Sequence, residues 1–534
     1  MSYNTDMKKW SVIAILCLAQ FVMVLDSTVM NVSISAVVKD LGTTVSGLQT
    51  AITFYTLTMA AFMLIGAKLC AKLGLLRAFA IGSVIYGLGS LITGMSQNIT
   101  QLFIGWSVIE GLGAVLVIPA IASLVAVNYK GKDRVVAFAL IGGISGAAAA
   151  AGPLIGGYVT TYFTWRYVFF AETITMAVVL ILSRKFKATA PTTTEKIDLP
   201  SAALSAVGMT MLVYGMLQSK VWGWVEPMAK PSIGGHEIAP LGISVVVYLI
   251  IAGIIFLKLF YDRQQMLEAA GRNPLLQVSM LSIKRLQAGL SVLMAQYAVI
   301  AAVFFVVPIY LQMVLGLDAL ETGMKILPLS VALILFSMVG TKLTIKRSPK
   351  QIVRFGQILL VFGIGFLLQA INPELTGYTF SISMFAIGAG LGLLASQLGN
   401  INMSSVSEDK TSEVGGLQGV FQNLGSSFGT AFIGSILVAS LTTGFVSNIT
   451  NSTLPENIKS YITKNTQAGV AIVPSASVEE YALSKGVSQT EAAQISSDYT
   501  EAQLSGLKHS ITMLGIIAIL SILLSRNIPN KKPD

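Results

Sequence analysis

Three carboxylic acids lie where a carboxylate is hardest to keep. The stretch GWSVIEGLGAVLVIP, Gly105 to Pro119, surrounds Glu110 with residues that are apolar apart from Ser107. Asp26 lies in the apolar run that opens at Trp10, and Glu172 in the run that follows Trp165. A charged side chain deep in hydrocarbon costs a few kcal/mol, so an acid with no base beside it holds its proton there. If a cation or a water-filled cavity then stabilises the ionised form, the proton leaves, and binding becomes linked to proton release. That linkage is the least machinery an antiporter needs. A helical rise of about 1.5 Å per residue places the three acids about 9–12 Å below one boundary, in a single layer. No lysine or arginine of the neighbouring spans lies comparably deep. Glu110 is the first candidate for proton and cation coupling, Asp26 the second and Glu172 the third. The alternative for each is a permanently protonated acid bonded to a neighbouring helix.

Composition names the elements that must position them. The 534 residues are 54% hydrophobic and only 11% charged, with a mean hydropathy of +0.74, against roughly 25% charged residues in a soluble domain. Apolar runs near 20 residues, each long enough to cross about 30 Å of hydrocarbon, recur along the chain. The expectation is an all-α polytopic membrane protein with fourteen spans, starting near residues 10, 47, 77, 102, 134, 166, 200, 239, 286, 321, 354, 376, 412 and 509. The first run is longer than a signal-peptide core and reads as a span. With the N-terminus inside, 26 of the 35 lysines and arginines fall in cytoplasmic segments and nine outside, so both termini are expected in the cytoplasm. A miscounted span would invert this bias from that point on. The location expected is the cell membrane, and a monomer in the bilayer. Net charge of +10 is spread between apolar spans, which fits anionic lipid headgroups and excludes nucleic acid as a partner.

Two loops are unusual. RKFKATAPTTTEKIDLP, Arg184 to Pro200, is a Pro- and Thr-rich seam after six spans. The segment from about Ser447 to Lys508 is polar and too long for a plain connection. Within it SVEE, from Ser477, and SQTE, from Ser488, predict short helices outside the membrane, capped by serine with glutamate three residues on. A spacer or a lid on the substrate path would both use such helices. GAKLCAK, Gly66 to Lys72, recurs as GTKLTIK, Gly340 to Lys346, at the ends of the second and tenth spans. The repeat aligns two bundles of six only if the seventh and eighth spans are an insertion. The organisation expected is an N-terminal bundle (1–188), a linker with two spans (189–280), the first five helices of a second bundle (281–446), an extracytoplasmic loop (447–508), and a last span with its tail (509–534).

Four motifs then resemble the major facilitator superfamily, and within it the fourteen-span drug:proton antiporter family. LDSTVMNVSISAV, Leu25 to Val37, matches the first-span signature, and GAAAAAGPLIGG, Gly146 to Gly157, the fifth-span antiporter motif. WRYVFF, Trp165 to Phe170, and GGLQGVFQNLGSSFGTAFIG, Gly415 to Gly434, match at the sixth and thirteenth spans. The resemblance implies the major facilitator fold, two six-helix bundles plus two linker helices, and export of drugs or lipophiles driven by proton entry. It also implies roles in conformational change for Gly146, Gly152, Pro153, Gly156 and Gly157, and for the loop residues Lys68, Lys72 and Arg77. The residues agree, since small side chains let another helix approach closely and Pro153 removes one backbone bond. A tightly packed helix without a moving role would read the same. Four positions depart from the family: Ala71 replaces the loop aspartate, Ser107 and Glu110 replace the arginine and glutamine of R-x-x-Q-G, and Glu172 replaces an asparagine.

Polar residues of the second half, Gln296, Tyr297, Gln312, Gln397 and Asn400, are candidates for the facing wall of a substrate cavity. A cavity with acids and no buried base suits a cationic amphipath. Export of lipids or neutral lipophiles, or a transporter-like sensor without proton coupling, is the alternative. The chain carries two histidines, no HExxH, no paired C-x-x-C and no phosphate-binding G-x-x-x-x-G-K-[ST] loop. An enzyme and an ATP-driven pump are therefore not expected, nor is a cofactor or a metal.

Overall fold

Hydrocarbon offers no water to the peptide groups, so each apolar run closes its own backbone bonds as a helix. The computed structural model describes residues 2–129, 131–184, 197–233, 236–272, 274–407, 410–466 and 469–530. Among them, fourteen helices are long and apolar enough to cross a bilayer. Spans 1 to 6 are Trp10–Val32, Gly47–Leu73, Leu75–Gly94, Ile99–Val125, Val136–Tyr162 and Arg166–Ser183. Spans 7 and 8 are Leu199–Ser219 and Val245–Ala269. Spans 9 to 14 are Lys284–Val314, Ala319–Leu343, Pro349–Ala370, Thr379–Met403, Glu413–Asn451 and Gln489–Asn527. Most of the predicted seam, residues 185–196, lies outside the described residues.

The packing repeats with an offset of eight spans. Span 1 packs on 5 and 6, span 2 on 4, and span 3 on 4 and 6; likewise 9 packs on 13 and 14, 10 on 12, and 11 on 12 and 14. Gly66 and Gly340, the first residues of the two G-x-K-L-x-x-K copies, share one reason for being glycine. A Cβ on Gly66 would stand 2.1 Å from the Val115 carbonyl of span 4, and one on Gly340 would stand 2.1 Å from Ser396 Oγ of span 12. Between the two sets, span 5 packs on 10 and span 2 on 13. Spans 7 and 8 pack on each other, with span 7 also against 2 and 13. Span 8 turns Ile251, Ile254 and Ile255 outward, as a lipid-facing helix should.

Span 7 is anchored at its start. Asp198 caps the helix by accepting from Ser201 N at 3.0 Å. The same carboxylate takes a two-pronged bond from Arg263 of span 8, Nε to Oδ2 at 2.6 Å and Nη2 to Oδ1 at 2.8 Å. The Arg263 guanidinium holds the Asp198 carboxyl well below the usual carboxylate range. A depressed folded value stabilises the protein above about pH 4, and that stability is lost as pH falls further. Asp198→Asn is expected to cost about 1–2 kcal/mol and to lower the thermal midpoint of the purified protein. The loss should be full at neutral pH and shrink toward acid; equal midpoints at neutral pH would rule the bridge out as a stabiliser.

The long polar segment differs from its expectation. The last helix does not begin near residue 509 but at Gln489, running unbroken to Leu524. Ser488 and Glu491 form the expected capping box, yet the helix they start is 36 residues long rather than short. Side-chain polarity changes along it while nothing stops the backbone: no proline occurs before Leu524. Span 13 belongs to a helix of 41 residues, Thr411–Asn451. At about 1.5 Å per residue the two reach roughly 54 and 61 Å, well beyond a hydrocarbon core of about 30 Å. Two short helices, Glu456–Asn465 and Ser475–Ser484, sit between them. The second starts two residues before Ser477, with Pro474 as its cap residue. Residues 470–473 tie this cap to the extensions: Val470 N donates to Thr442 Oγ1 at 2.9 Å and Val473 N to Tyr499 Oη at 3.0 Å.

Candidate functional site

Span 4 is not a uniform helix. From Phe103 to Glu110 its backbone widens into π-helical turns, then returns to α-helix from Gly111. Such turns are rare and are found often at functional sites. Span 3 lies hard against this stretch, since a Cβ on Gly89 would come within 2.5 Å of Glu110 N. The next residue, Ser90, thereby reaches the acid: its Oγ donates to Glu110 Oε2 at 2.8 Å and approaches Glu172 Oε2 at 3.4 Å.

The three predicted acids converge. Asp26 of span 1, Glu110 of span 4 and Glu172 of span 6 are 1%, 0% and 2% exposed. One oxygen from each lies within 4.8 Å of the others. None turns to lipid, and no ion pair joins any of them to a lysine, arginine or histidine among the described residues. Trp106, one helical turn before Glu110, donates Nε1–H to both oxygens of Asp26, at 3.0 and 2.9 Å. Tyr55 of span 2 stacks on Trp106, ring centroids 5.0 Å apart and 13° between planes. Ser107, at the family's arginine position, donates instead to the Ala51 carbonyl of span 2 at 2.7 Å. Trp106, Ser90 and Tyr55 were absent from the sequence-based candidates; the four-residue spacing of Trp106 and Glu110 on one helix face was the available signal for the first.

The antiporter motif touches two helices at once. A Cβ on Gly152 would stand 1.8 Å from Thr28 Oγ1 of span 1, and one on Gly156 2.8 Å from Val29 Cγ1. On the other side, a Cβ on Gly157 would stand 2.6 Å from the Ala319 carbonyl, and one on Gly146 2.4 Å from Leu333 Cδ2, both on span 10. Span 10 returns the fit, as a Cβ on Gly323 would meet the Pro153 carbonyl at 2.4 Å. Span 5 is thus wedged between its own bundle and the other. Pro153 sits inside a helix that continues from Gly131 to Tyr162. Among the loop residues, Lys68 donates to the Pro274 carbonyl at 2.7 Å, Lys72 is half-buried and Arg77 exposed.

The five polar residues expected in a facing wall lie on spans 9 and 12 and hold different partners. Gln312 bridges the bundles, accepting from Ser35 Oγ at 2.6 Å and donating to the Val32 carbonyl at 3.1 Å. Gln296 is buried and donates to the Leu391 carbonyl of span 12 at 3.3 Å. Tyr297, the next residue, is half-buried. Gln397 uses its amide on span 10, at 3.2 Å from both the Gly340 carbonyl and Thr344 Oγ1. Asn400 is exposed near the end of span 12. The physical reason is that a buried amide must be satisfied, and the nearest carbonyl on a packed neighbour does so.

Among the described residues, fourteen membrane-length helices, twelve of them in two similarly packed sets with spans 5–10 and 2–13 as the joint, make a polytopic membrane fold. The chain belongs to the major facilitator superfamily, whose family model matches residues 16–430. It is a transporter and not an enzyme. A tetracenomycin C resistance and export protein of Streptomyces glaucescens is 24% identical, over 99% of this chain and 93% of that protein. A puromycin resistance protein of Streptomyces alboniger is 24% identical, over 81% of this chain and 82% of its own length. Among solved structures, a bacterial homologue of the human lysosomal transporter Spinster, inward-facing and unoccupied, matches with a TM-score of 0.60 at 16% identity, covering 98% of both chains. That likeness is one of fold.

Proposed function

We propose that the protein is a secondary active transporter of the cell membrane, with both termini cytoplasmic. It exports amphipathic, cationic organic compounds in exchange for protons by alternating access. The observation that carries this reading is the convergence of Asp26, Glu110 and Glu172 within 4.8 Å, with no lysine, arginine or histidine paired to them among the described residues. At an effective dielectric of about 20, two charges at that distance repel by roughly 3.5 kcal/mol, so the cluster carries protons rather than three charges. Admission of a cation or water stabilises the ionised form and releases a proton; re-entry of a proton from the other side restores the start.

Thr28 links this chemistry to movement. It lies two residues beyond Asp26 on span 1 and fills the space that Gly152 leaves on span 5. A change of charge or hydration at Asp26 therefore acts on the seam that span 5 shares with spans 1 and 10. Relatives bearing names of resistance and export favour small organic cargo moving outward. Loss of the proton gradient should stop it. In whole cells expressing the chain, efflux of a lipophilic cationic dye is expected to fall to background on adding a protonophore. Efflux that persists would contradict proton-driven export and favour facilitated diffusion.

A further inference from the structure

The three acids are not hydrogen-bonded alike. The Trp106 indole is a donor only, and it stands nearly equidistant from both Asp26 oxygens, 3.0 and 2.9 Å. A forked bond of this kind suits a carboxylate with two equivalent acceptors. The two glutamates share a single donor, the Ser90 hydroxyl, which has one proton to give. Glu110 Oε1 and Glu172 Oε1 are buried and have no hydrogen-bond partner among the described residues. A charge left so poorly solvated is costly, whereas a neutral acid at the same place is not.

The other titratable groups that face the cluster are phenols, Tyr55 from span 2 and Tyr86 from span 3. Both are neutral phenols that can donate a hydrogen bond but carry no positive charge, so neither removes the need for protons on the acids. Tyr86 Oη has no hydrogen-bond partner among the described residues. From spans 1, 4 and 6 the facing groups are the three acids themselves.

We propose that Trp106 is a positioning residue that holds the cluster's negative charge on Asp26 and leaves the protons on Glu110 and Glu172. The inference rests on reading this cluster as the proton site, and it assigns the resting protonation state within that site. Trp106 acts through Asp26. Ionisation of Glu110 then places a second charge beside Asp26, which only an arriving cation or water can offset.

Infrared difference spectroscopy of the purified, reconstituted protein at neutral pH reads protonated carboxyls directly and needs no transport. The wild type is expected to show two buried carboxyl bands, one lost in Glu110→Gln and one in Glu172→Gln, with no band lost in Asp26→Asn. In Trp106→Phe an additional band should appear that the further change Asp26→Asn removes. A carboxyl band of the wild type that depends on Asp26 would overturn the assignment. If Trp106→Phe fails to fold, the comparison of wild type with Asp26→Asn decides alone. Should the bands follow this pattern while dye efflux ignores the protonophore, the charge assignment stands and proton-driven export falls.

Discussion

Glu110→Gln is expected to abolish pH-dependent transport while leaving expression and folding intact. Glutamine matches the size of the acid and its carbonyl still accepts the Ser90 hydroxyl, so the seam between spans 3 and 4 is preserved. What disappears is the group that gains and loses a proton. Obligatory exchange of one proton makes the apparent cargo affinity change by up to about tenfold per pH unit near the titration. The wild type should show that slope in proteoliposomes with an imposed gradient, and the variant should be flat. A variant that transports like the wild type across the pH range would remove Glu110 from the mechanism. Glu110 is placed first among the three acids because span 4 alone among their helices carries widened turns at its acid.

The second large effect is expected at the wedge. Gly157→Ala adds one methyl group 2.6 Å from the Ala319 carbonyl and 2.9 Å from Leu320 Cα. Backbone atoms cannot step aside as a flexible side chain does, so spans 5 and 10 must part. Overpacking costs about 1–3 kcal/mol, which moves the equilibrium between carrier conformers about 5- to 150-fold away from this one. Cargo efflux should fall by a similar factor, with the protein still folded. Gly142→Ala is the control: no atom lies within 4 Å of its Cβ position, and alanine favours a helix. Equal efflux from the two variants would mean that this seam does not limit the cycle.

Hydrophobic runs and basic loops made the number of spans readable, because both are dictated locally by the bilayer and its surface. The start of the last helix was hidden by the same reasoning. Polarity marks where the chain leaves hydrocarbon, whereas the helix stops only where its backbone is broken, and Gln489 to Leu524 contains no such break. For the acids, helical rise predicted a common depth but said nothing of lateral placement. That they meet depends on how spans 1, 3, 4 and 6 pack, which Gly89 and the widened turns of span 4 decide. Gln397 shows the converse. Its polarity suggested a cavity wall, and its amide also bonds the Gly340 carbonyl, which fastens spans 10 and 12. Ser90 left no mark at all, since a serine in an apolar helix ordinarily bonds its own backbone, as Ser83 does to the Phe79 carbonyl.

The account turns on whether cargo and proton compete at one buried cluster. Proton release measured with a pH indicator, on adding saturating lipophilic cation to the detergent-solubilised protein in weak buffer, tests this without a membrane gradient. The prediction is about one proton released per cation bound by the wild type and none by Glu110→Gln at equal occupancy. Binding by the wild type with no change in pH would contradict it.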